Sequence, residues 1–591
     1  MHHVVVHAHC YQPPREDPWL EAVETEPSAA PDHDWNARID RECYARLAAT
    51  ELRIRDAHAA PNDPDARAGL ARLVNLYGWC TFDVGATLCE WMDTNAPRTL
   101  QAMIDGDAAS VRRWGHGNAI AAPYHHVILP LASPRDRRTE VRWGIRDFQR
   151  RFGRAPEGMW LPECAADEDT LDLLAAEGVQ FTILAPYQVR TGSEHHGLPV
   201  RWRGASGRSL AILPYDGGLA GEVAFGGLLQ NAGALASRLA PVINDNQHRC
   251  TTLATDGETF GHHHRNGERT LAAALVQIAA RADAIITNAA RMVAEHPPTL
   301  EAQLVSPSSW SCAHGVERWR SNCGCRIDGN KPPAQEWRGP LRVALSALAD
   351  QLAAQYERDA APIFRDDPWA ARDAYGAVVA FDSDTLTAHV RDAARADATD
   401  AQLQRARELL EMQRASLRMF TSCAWFFDEV DRIETRQVLR YAARALELAR
   451  ATPAAITAFA DSLAPAHAAA PGSPSARDVW TQSVWPRIPT VQRVAAAAMA
   501  LYAAGTDKRR IDAFDLHTET HDREGQQLRV TLTHRRSGEE RELRGQVNNA
   551  TSCTPTVVLA DSTDTIAVQD FPESAARALL SHHLNADDVL G

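Results

Sequence analysis

No apolar run in this chain reaches the roughly 18 residues needed to cross a bilayer. The start lacks the basic-then-apolar layout of a secretory signal, since Met1-His2-His3 leads directly into Val4-Val5-Val6. An excess of basic charge is missing too. Sixty-two Lys and Arg stand against 76 Asp and Glu, a net charge of −14, which disfavours non-specific nucleic-acid binding and fits a neutral substrate. No internal repeat is found. The 11 cysteines are odd in number and scattered, so they suggest no disulfide framework. These absences predict a reduced, cytoplasmic protein with free and mostly buried thiols, and neither a membrane nor a nucleic acid as partner.

What is present is ordinary globular material, 45% hydrophobic and 23% charged over 591 residues. Val4 to Val6 form a continuous apolar run, as in a strand buried on both faces of a parallel sheet. His7 and His9 follow at strand spacing, on one side of the backbone. Residues 15 to 70 read as a long polar loop and a helix near Asp34 to Arg55. Val74 to Phe82 is the next strand candidate, and Gly85 to Met92 turns into a helix. Further helices are expected over Asp136 to Phe152, Asp167 to Glu177 and Leu271 to Ala280. Strands are expected over Val179 to Leu184, Leu210 to Leu213 and Thr251 to Leu253. This alternation argues for a parallel α/β architecture, and the many polar strand ends favour a barrel over an open sheet. A boundary is expected over Asn330 to Pro340, giving a barrel domain over 1–330. Helical spacing of Leu345, Leu348 and Leu352, and of Val438, Ala442 and Ala445, predicts an all-helical domain over 331–505. The alternating Leu528, Val530 and Leu532 predict a small β-containing unit over 506–591.

Two strands end in acids. EGMWLPE ends at Glu163 beside Trp160 and Pro162, and CTTLATDGE ends at Asp256 and Glu258. A pair of carboxyl groups facing each other is what cleavage of a glycosidic bond requires: one protonates the leaving oxygen and the other attacks or activates water. Their acidities must differ, so one should lie in an apolar setting. Trp160, Tyr187, Tyr215, Phe260, Trp310 and Trp319 offer flat faces for sugar rings. His116, Asn118, His125 and His126 crowd a glycine-flanked segment with little helical periodicity and read as a pocket wall. Taken alone, Glu163 could equally cap the next helix, and Asp256-Gly257-Glu258 could be a turn.

Five stretches, HAHCYQPP, WGHGNAIAAPYHHVILPL, WLPE, TDGETFGHH and SSWSCAHGVERW, fall in the order of the five motifs of glycoside hydrolase family 57, and residues 1 to 330 resemble that family. The resemblance implies an incomplete (β/α)7 barrel followed by a helical domain, acting by retention on α-glucans as an amylase, glucanotransferase or branching enzyme. By motif it implies Glu163 as nucleophile and Asp256 as general acid/base. His7, His9, His116, Asn118, His126, Trp160, Tyr187, Glu258, Phe260, Trp310, His314 and Trp319 are the expected substrate-binding residues. Asn118 stands where many members have a glutamate, so subsite contacts stay open. The chain beyond 330 resembles the helical extension of one subgroup.

Two rival readings have their own residues. A metal-dependent polysaccharide deacetylase could draw on His7, His9 and His262-His263-His264, although three successive histidines do not converge on one ion from regular structure. A glycan-binding protein without catalysis would leave the acids idle. Cys312, His314, Cys323 and Cys325 form a looser set than paired Cys-x-x-Cys motifs, and neither a metal nor a cofactor is expected.

Overall fold

The computed structural model describes residues 1–53, 71–242, 248–327, 329, 335–380, 382–468, 472–485, 488–521, 527–550, 552 and 554–588. The chain forms two units. One comprises Met1–Pro14, Trp35–Cys325 and Phe420–Ser422; the other comprises Arg15–Asp34, Arg326–Met419 and Cys423–Gly591.

In the first unit the strand His2–Cys10 is central, and Val4, Val5 and Val6 are buried. It runs parallel to Arg249–Asp256 along its length and to Thr81–Val84 over its C-terminal half, while Ala284–Ile286 pairs with its first residues. Thr81–Val84 pairs in parallel with Ala119–Ile120. Parallel bridges at Ala121–Met159 and Gly158–Phe181 carry the sheet on to Phe181–Leu184, which pairs in parallel with Ser209–Pro214. The Asp216 amide then donates to the Thr252 carbonyl at 2.7 Å, returning the chain to the strand Arg249–Asp256. The arrangement is α/β and barrel-like. A mixed extension grows from Ser209–Pro214: Val200–Arg203 pairs with it antiparallel, Glu301–Leu304 runs parallel to Val200–Arg203, and Val189–Thr191 closes the edge antiparallel to Glu301–Leu304.

Helices alternate with these strands because each connection carries its own stop signals. Pro134–Phe152 begins two residues before the expected start, since the Ser133 side chain caps Asp136 N and Pro134 takes the first turn, where its missing N–H costs nothing. It ends at Gly153, whose φ of 67° is the left-handed cap glycine adopts readily. The expected strand Val74 to Phe82 is instead two strands, Ala71–Val74 and Thr81–Val84, split by a 3-10 turn over Leu76–Gly78. The Asn75 side chain accepts from Tyr77 N and ends the first strand. The expected helix from Asp34 gives way to the strand Thr50–Arg53, and residues 54 and 55 lie outside the described residues. Residues 15–34, read from sequence as a loop on the barrel, belong to the second unit.

The second unit has helices over Arg338–Ala360, Asp400–Arg418 and Ile433–Leu448, among others, and a six-stranded antiparallel sheet over residues 510–567. The helical region and the sheet are not separate bodies. The apolar run within the helix Thr490–Ala503 shares one core with Leu516, Val530 and Leu532 of the sheet. Of the expected boundary, residues 330–334 lie outside the described residues. No helix among the described residues is long and apolar enough to cross a membrane.

Candidate active site

Strand register builds the site. His9 lies opposite Asp83 on one side and Asp256 on the other, so three titratable groups stand at one height where parallel strands end. Strand alternation puts His7 on the same side as His9. Gly257 lets the following turn tuck under this row: a Cβ there would lie 2.9 Å from Cys10 Sγ and 3.2 Å from the His9 carbonyl.

Asp83 is fully buried and holds both histidines. His9 Nδ1 donates to its oxygens at 2.9 and 3.0 Å, and His7 Nε2 lies 3.2 Å from Oδ1. Burial alone would lower the His9 imidazole. The charge and hydrogen bonds of Asp83, with the charges of Asp256 and Glu258, outweigh burial and push it up to about 9. His9 is therefore an imidazolium at neutral pH. His126 moves the other way, well down, because it is buried and faces the charge of His9. Its Nε2 therefore accepts from His9 Nε2 at 3.1 Å while its Nδ1 donates to Ser422 Oγ at 2.7 Å, the tautomers following from the network. Trp160 floors the row. It stacks on His7 at 4.6 Å and on His9 at 5.2 Å, a favourable place for an imidazolium.

Glu163 ends the segment that bridges Ala121 and Phe181. Its φ of 58°, followed by 48° at Cys164, lies in the left-handed region that non-glycine residues avoid. Such a conformation costs on the order of 1–3 kcal/mol and persists where surroundings enforce it. Here the enforcement is visible. The Glu163 carbonyl accepts from Trp310 N at 2.9 Å, and its Oε2 accepts from Trp310 Nε1 at 2.9 Å and Ser311 Oγ at 2.6 Å. Among the described residues no protein hydrogen bond reaches Oε1.

Asp256 is half-buried. Its carboxyl is pushed up to about 7, mainly by burial; the Glu258 and Glu163 charges add to the rise and the His9 charge opposes it. Glu258 is buried, accepts from the Tyr44 hydroxyl and from Gln12 Nε2 at 3.2 Å, and is also raised by burial. Trp310 sits edge-on to Trp160 at 5.1 Å and to Tyr215 at 6.4 Å. The exposed Tyr187 donates its hydroxyl to the carbonyls of Ser309 and Trp310 at 3.1 and 2.8 Å. A carboxyl that keeps its proton near neutrality and a second, firmly held carboxylate are thus gathered at one mouth with aromatic walls.

Residues 18–299 match the family model described as glycosyl hydrolase family 57. This stretch of the chain belongs to glycoside hydrolase family 57. Residues 334–548 match a second model, described as a domain of unknown function (DUF3536). The family 57 match starts after the first of the five motifs and stops before the last, so His7, His9 and Trp310 are joined to it by geometry. Among solved structures, an exo-type maltose-forming amylase from Pyrococcus sp. ST04 is similar at 14% identity and a TM-score of 0.55, over 76% of this chain and 79% of that one. A branching enzyme of the family from Thermococcus kodakaraensis matches at 13% identity and a TM-score of 0.46, over 80% and 97%. A 4-alpha-glucanotransferase from Thermococcus litoralis matches at 14% identity and 0.45, over 76% and 59%. Curated proteins gave no match.

Within this family 57 unit, His7, His9, His126, Trp160, Glu163, Asp256, Glu258, Tyr187 and Trp310 come together as described. Other expected residues do not. His116 and Asn118 stand ahead of the strand Ala119–Ile120, at the opposite end from His9 and Asp83. His116 Nδ1 pairs with Glu157 Oε1 at 2.5 Å, and Asn118 is buried between Ser110 Oγ, Asn288 Nδ2 and the Tyr77 carbonyl. Their polar groups tie strand starts together rather than line a pocket. Phe260 and Trp319 are fully buried core residues, not rim. His314 is turned to a cysteine cluster, with Nδ1 3.6 Å from Cys325 Sγ.

Among the described residues two groups could hold an ion, Cys312–His314–Cys323–Cys325 and His3–His248–His296. Neither includes His7, His9 or the run His262 to His264. His262 pairs instead with Glu42 Oε2 at 2.6 Å, and His264 Nε2 meets the Ala224 carbonyl at 2.8 Å.

Sequence reasoning missed Asp83, Ser311 and Ser422. Asp83 had a signal, since Thr81-Phe82-Asp83-Val84 is an apolar strand ending in an acid, like the two strands that were recognised. Ser422 had none, being 296 residues from the histidine it meets.

Proposed function

We propose that the family 57 unit is a retaining glycoside hydrolase or transglycosylase acting on α-glucans. The observation that carries this is the unequal pair: Glu163 with Oε2 fixed by Trp310 and Ser311, and Asp256 raised to about 7 and sensitive to the Glu163 charge. Glu163 attacks the anomeric carbon through Oε1 as Asp256 gives its proton to the leaving oxygen, forming a covalent glycosyl-enzyme. Asp256 then takes a proton from water or from an acceptor hydroxyl, whose oxygen displaces Glu163. The His9 imidazolium offsets the charge gathered by Asp83, Asp256 and Glu258. Trp310 and Tyr187 present the flat faces on which glucose rings stack. Seven parallel segments follow one another from Arg249–Asp256 through His2–Cys10, Thr81–Val84, Ala119–Ile120, residues 158–160 and Phe181–Leu184 to Ser209–Pro214, with Ala284–Ile286 pairing in parallel beside the start of His2–Cys10; they support an incomplete (β/α)7 barrel whose ring is weakest between Ser209–Pro214 and Arg249–Asp256.

Incubating the full chain with amylose, glycogen and maltopentaose and separating the products tests the reading. New reducing ends mean hydrolysis, redistributed chain lengths mean transfer, and new α-1,6 links mean branching. Unchanged substrates in all three would overturn it. The pH dependence has a definite sign. Asp256 must hold its proton in the first step, so kcat/KM is expected to fall about tenfold per pH unit above roughly pH 7. A kcat/KM that stays flat to about pH 9 would count against Asp256 as the acid.

A further inference from the structure

We infer that Cys312, His314, Cys323 and Cys325 form a structural zinc site. Cys312 Sγ lies 3.9 Å from Cys323 Sγ and 3.8 Å from Cys325 Sγ, and His314 Nδ1 lies 3.6 Å from Cys325 Sγ. All four donor atoms fall within 4.8 Å of one another. Around a tetrahedral zinc with Zn–S of about 2.3 Å and Zn–N of about 2.0–2.1 Å, the edges are about 3.8 Å between sulfurs and about 3.6 Å between sulfur and nitrogen. The observed spacings match that figure and are far too long for a disulfide, whose sulfurs stand about 2.05 Å apart.

The chain is shaped to make this possible. The ligands come as Cys-x-His and Cys-x-Cys, and a single spacer within an extended strand would hold its two side chains too far apart. Gly324, at φ 79°, turns the chain between its two cysteines, and Gly315, at φ 82°, turns it after His314. At Gly315 a Cβ would meet the Pro307 carbonyl at 2.7 Å, so the second turn admits only glycine. Three thiolates and an imidazole complete a zinc ion and leave no open position, which marks a structural site and not a catalytic one. The same loop carries Trp310 and Ser311, the donors to Glu163. The ion would therefore act as a positioning element, pinning the loop one residue beyond Ser311.

The test reads metal, not turnover, so it stands or falls apart from the proposed glycosidase activity. Full-length protein, expressed with zinc in the medium and purified under reducing conditions without chelator, is expected to carry one zinc per chain by elemental analysis. Cobalt exchanged for the zinc should give thiolate-to-cobalt charge-transfer bands. His314→Ala and Cys325→Ser, on the more exposed side of the cluster, should each weaken zinc retention and alter those bands while the far-ultraviolet dichroism of the fold persists. Protein without zinc after incubation with zinc chloride and reductant overturns the site. So does a Cys312–Cys323 disulfide that forms in reducing buffer, or zinc and cobalt spectra untouched in both variants.

Discussion

Replacing Glu163 with alanine is expected to lower kcat by roughly 10³–10⁵-fold, and added azide is expected to restore turnover with a product of inverted configuration. The truncation leaves a small cavity on the face of the sugar opposite the leaving group. Azide fits there, attacks in place of the carboxylate and gives a β-glycosyl azide from an α-linked substrate. Asp256→Ala should behave differently when offered an α-maltosyl fluoride, whose leaving group needs little protonation. The glycosyl-enzyme on Glu163 still forms, but nothing activates water to release it. Azide then enters from the side Asp256 once served and gives the α-glycosyl azide. Opposite configurations from the two variants would assign the two roles in one experiment. The same configuration from both, or full activity in either, would falsify the assignment. The unequal settings explain why the roles should not be interchangeable. Among the described residues Glu163 has two donors on one oxygen and none on the other, whereas Asp256 sits where burial and two neighbouring carboxylates favour its proton.

How far this site could be read from sequence depended on whether a residue's neighbours in space were also its neighbours in the chain. His7 and His9 were legible because Val4 to Val6 mark a buried parallel strand and the histidines stand where it ends. Glu163 and Asp256 were legible for the same reason. What failed was the inference from crowding. His116, Asn118 and His125 cluster in sequence, but the first two begin a strand rather than end one, and His125 Nδ1 is turned to Glu140 at 2.8 Å. Polar residues at a strand start satisfy each other, and local composition looks the same at either end. Phe260 and Trp319 show the matching error for aromatics, since a ring beside a catalytic motif can be core as easily as rim. The gathering of Cys312, His314, Cys323 and Cys325 is not legible in sequence, because Cys-x-Cys is loose as a pattern and the convergence comes from turns at Gly315 and Gly324, whose geometry spacing alone does not reveal. Ser422 and residues 15–34 were out of reach, because only the folded chain decides which unit a remote segment joins.

Asp83 is the residue on which the buried row depends, and Asp83→Asn keeps its shape while removing its charge. The variant takes from the buried His9 the carboxylate that keeps it charged, and removing one partner of such a buried pair costs about 3–5 kcal/mol. The cost should depend on pH in a definite way. His9 is raised from 6.5 to about 9, so its share of the stabilisation is complete below about pH 6.5 and is lost as pH rises through about 9. Burial would raise Asp83, but the His9 charge and the hydrogen bonds from His7 and His9 bring it below 3.8, so its share is present above that value and is lost as pH falls beneath it. The difference between wild type and Asp83→Asn should therefore be greatest between about pH 4 and 6.5 and shrink toward pH 9. Hydrogen exchange of the His2–Cys10 amides reports that difference for the first unit alone, which a bulk denaturation of a two-unit chain does not. A second readout separates electrostatics from mere loosening. Without Asp83, His9 loses its main reason to be charged at neutral pH, and the His9 charge is what holds Asp256 down. The falling limb of kcat/KM should then move above pH 7 in the variant, whereas a barrel that had only become less stable would keep the limb in place. A stability difference that ignores pH, together with an unmoved limb, would mean that Asp83 packs the row without setting its charge.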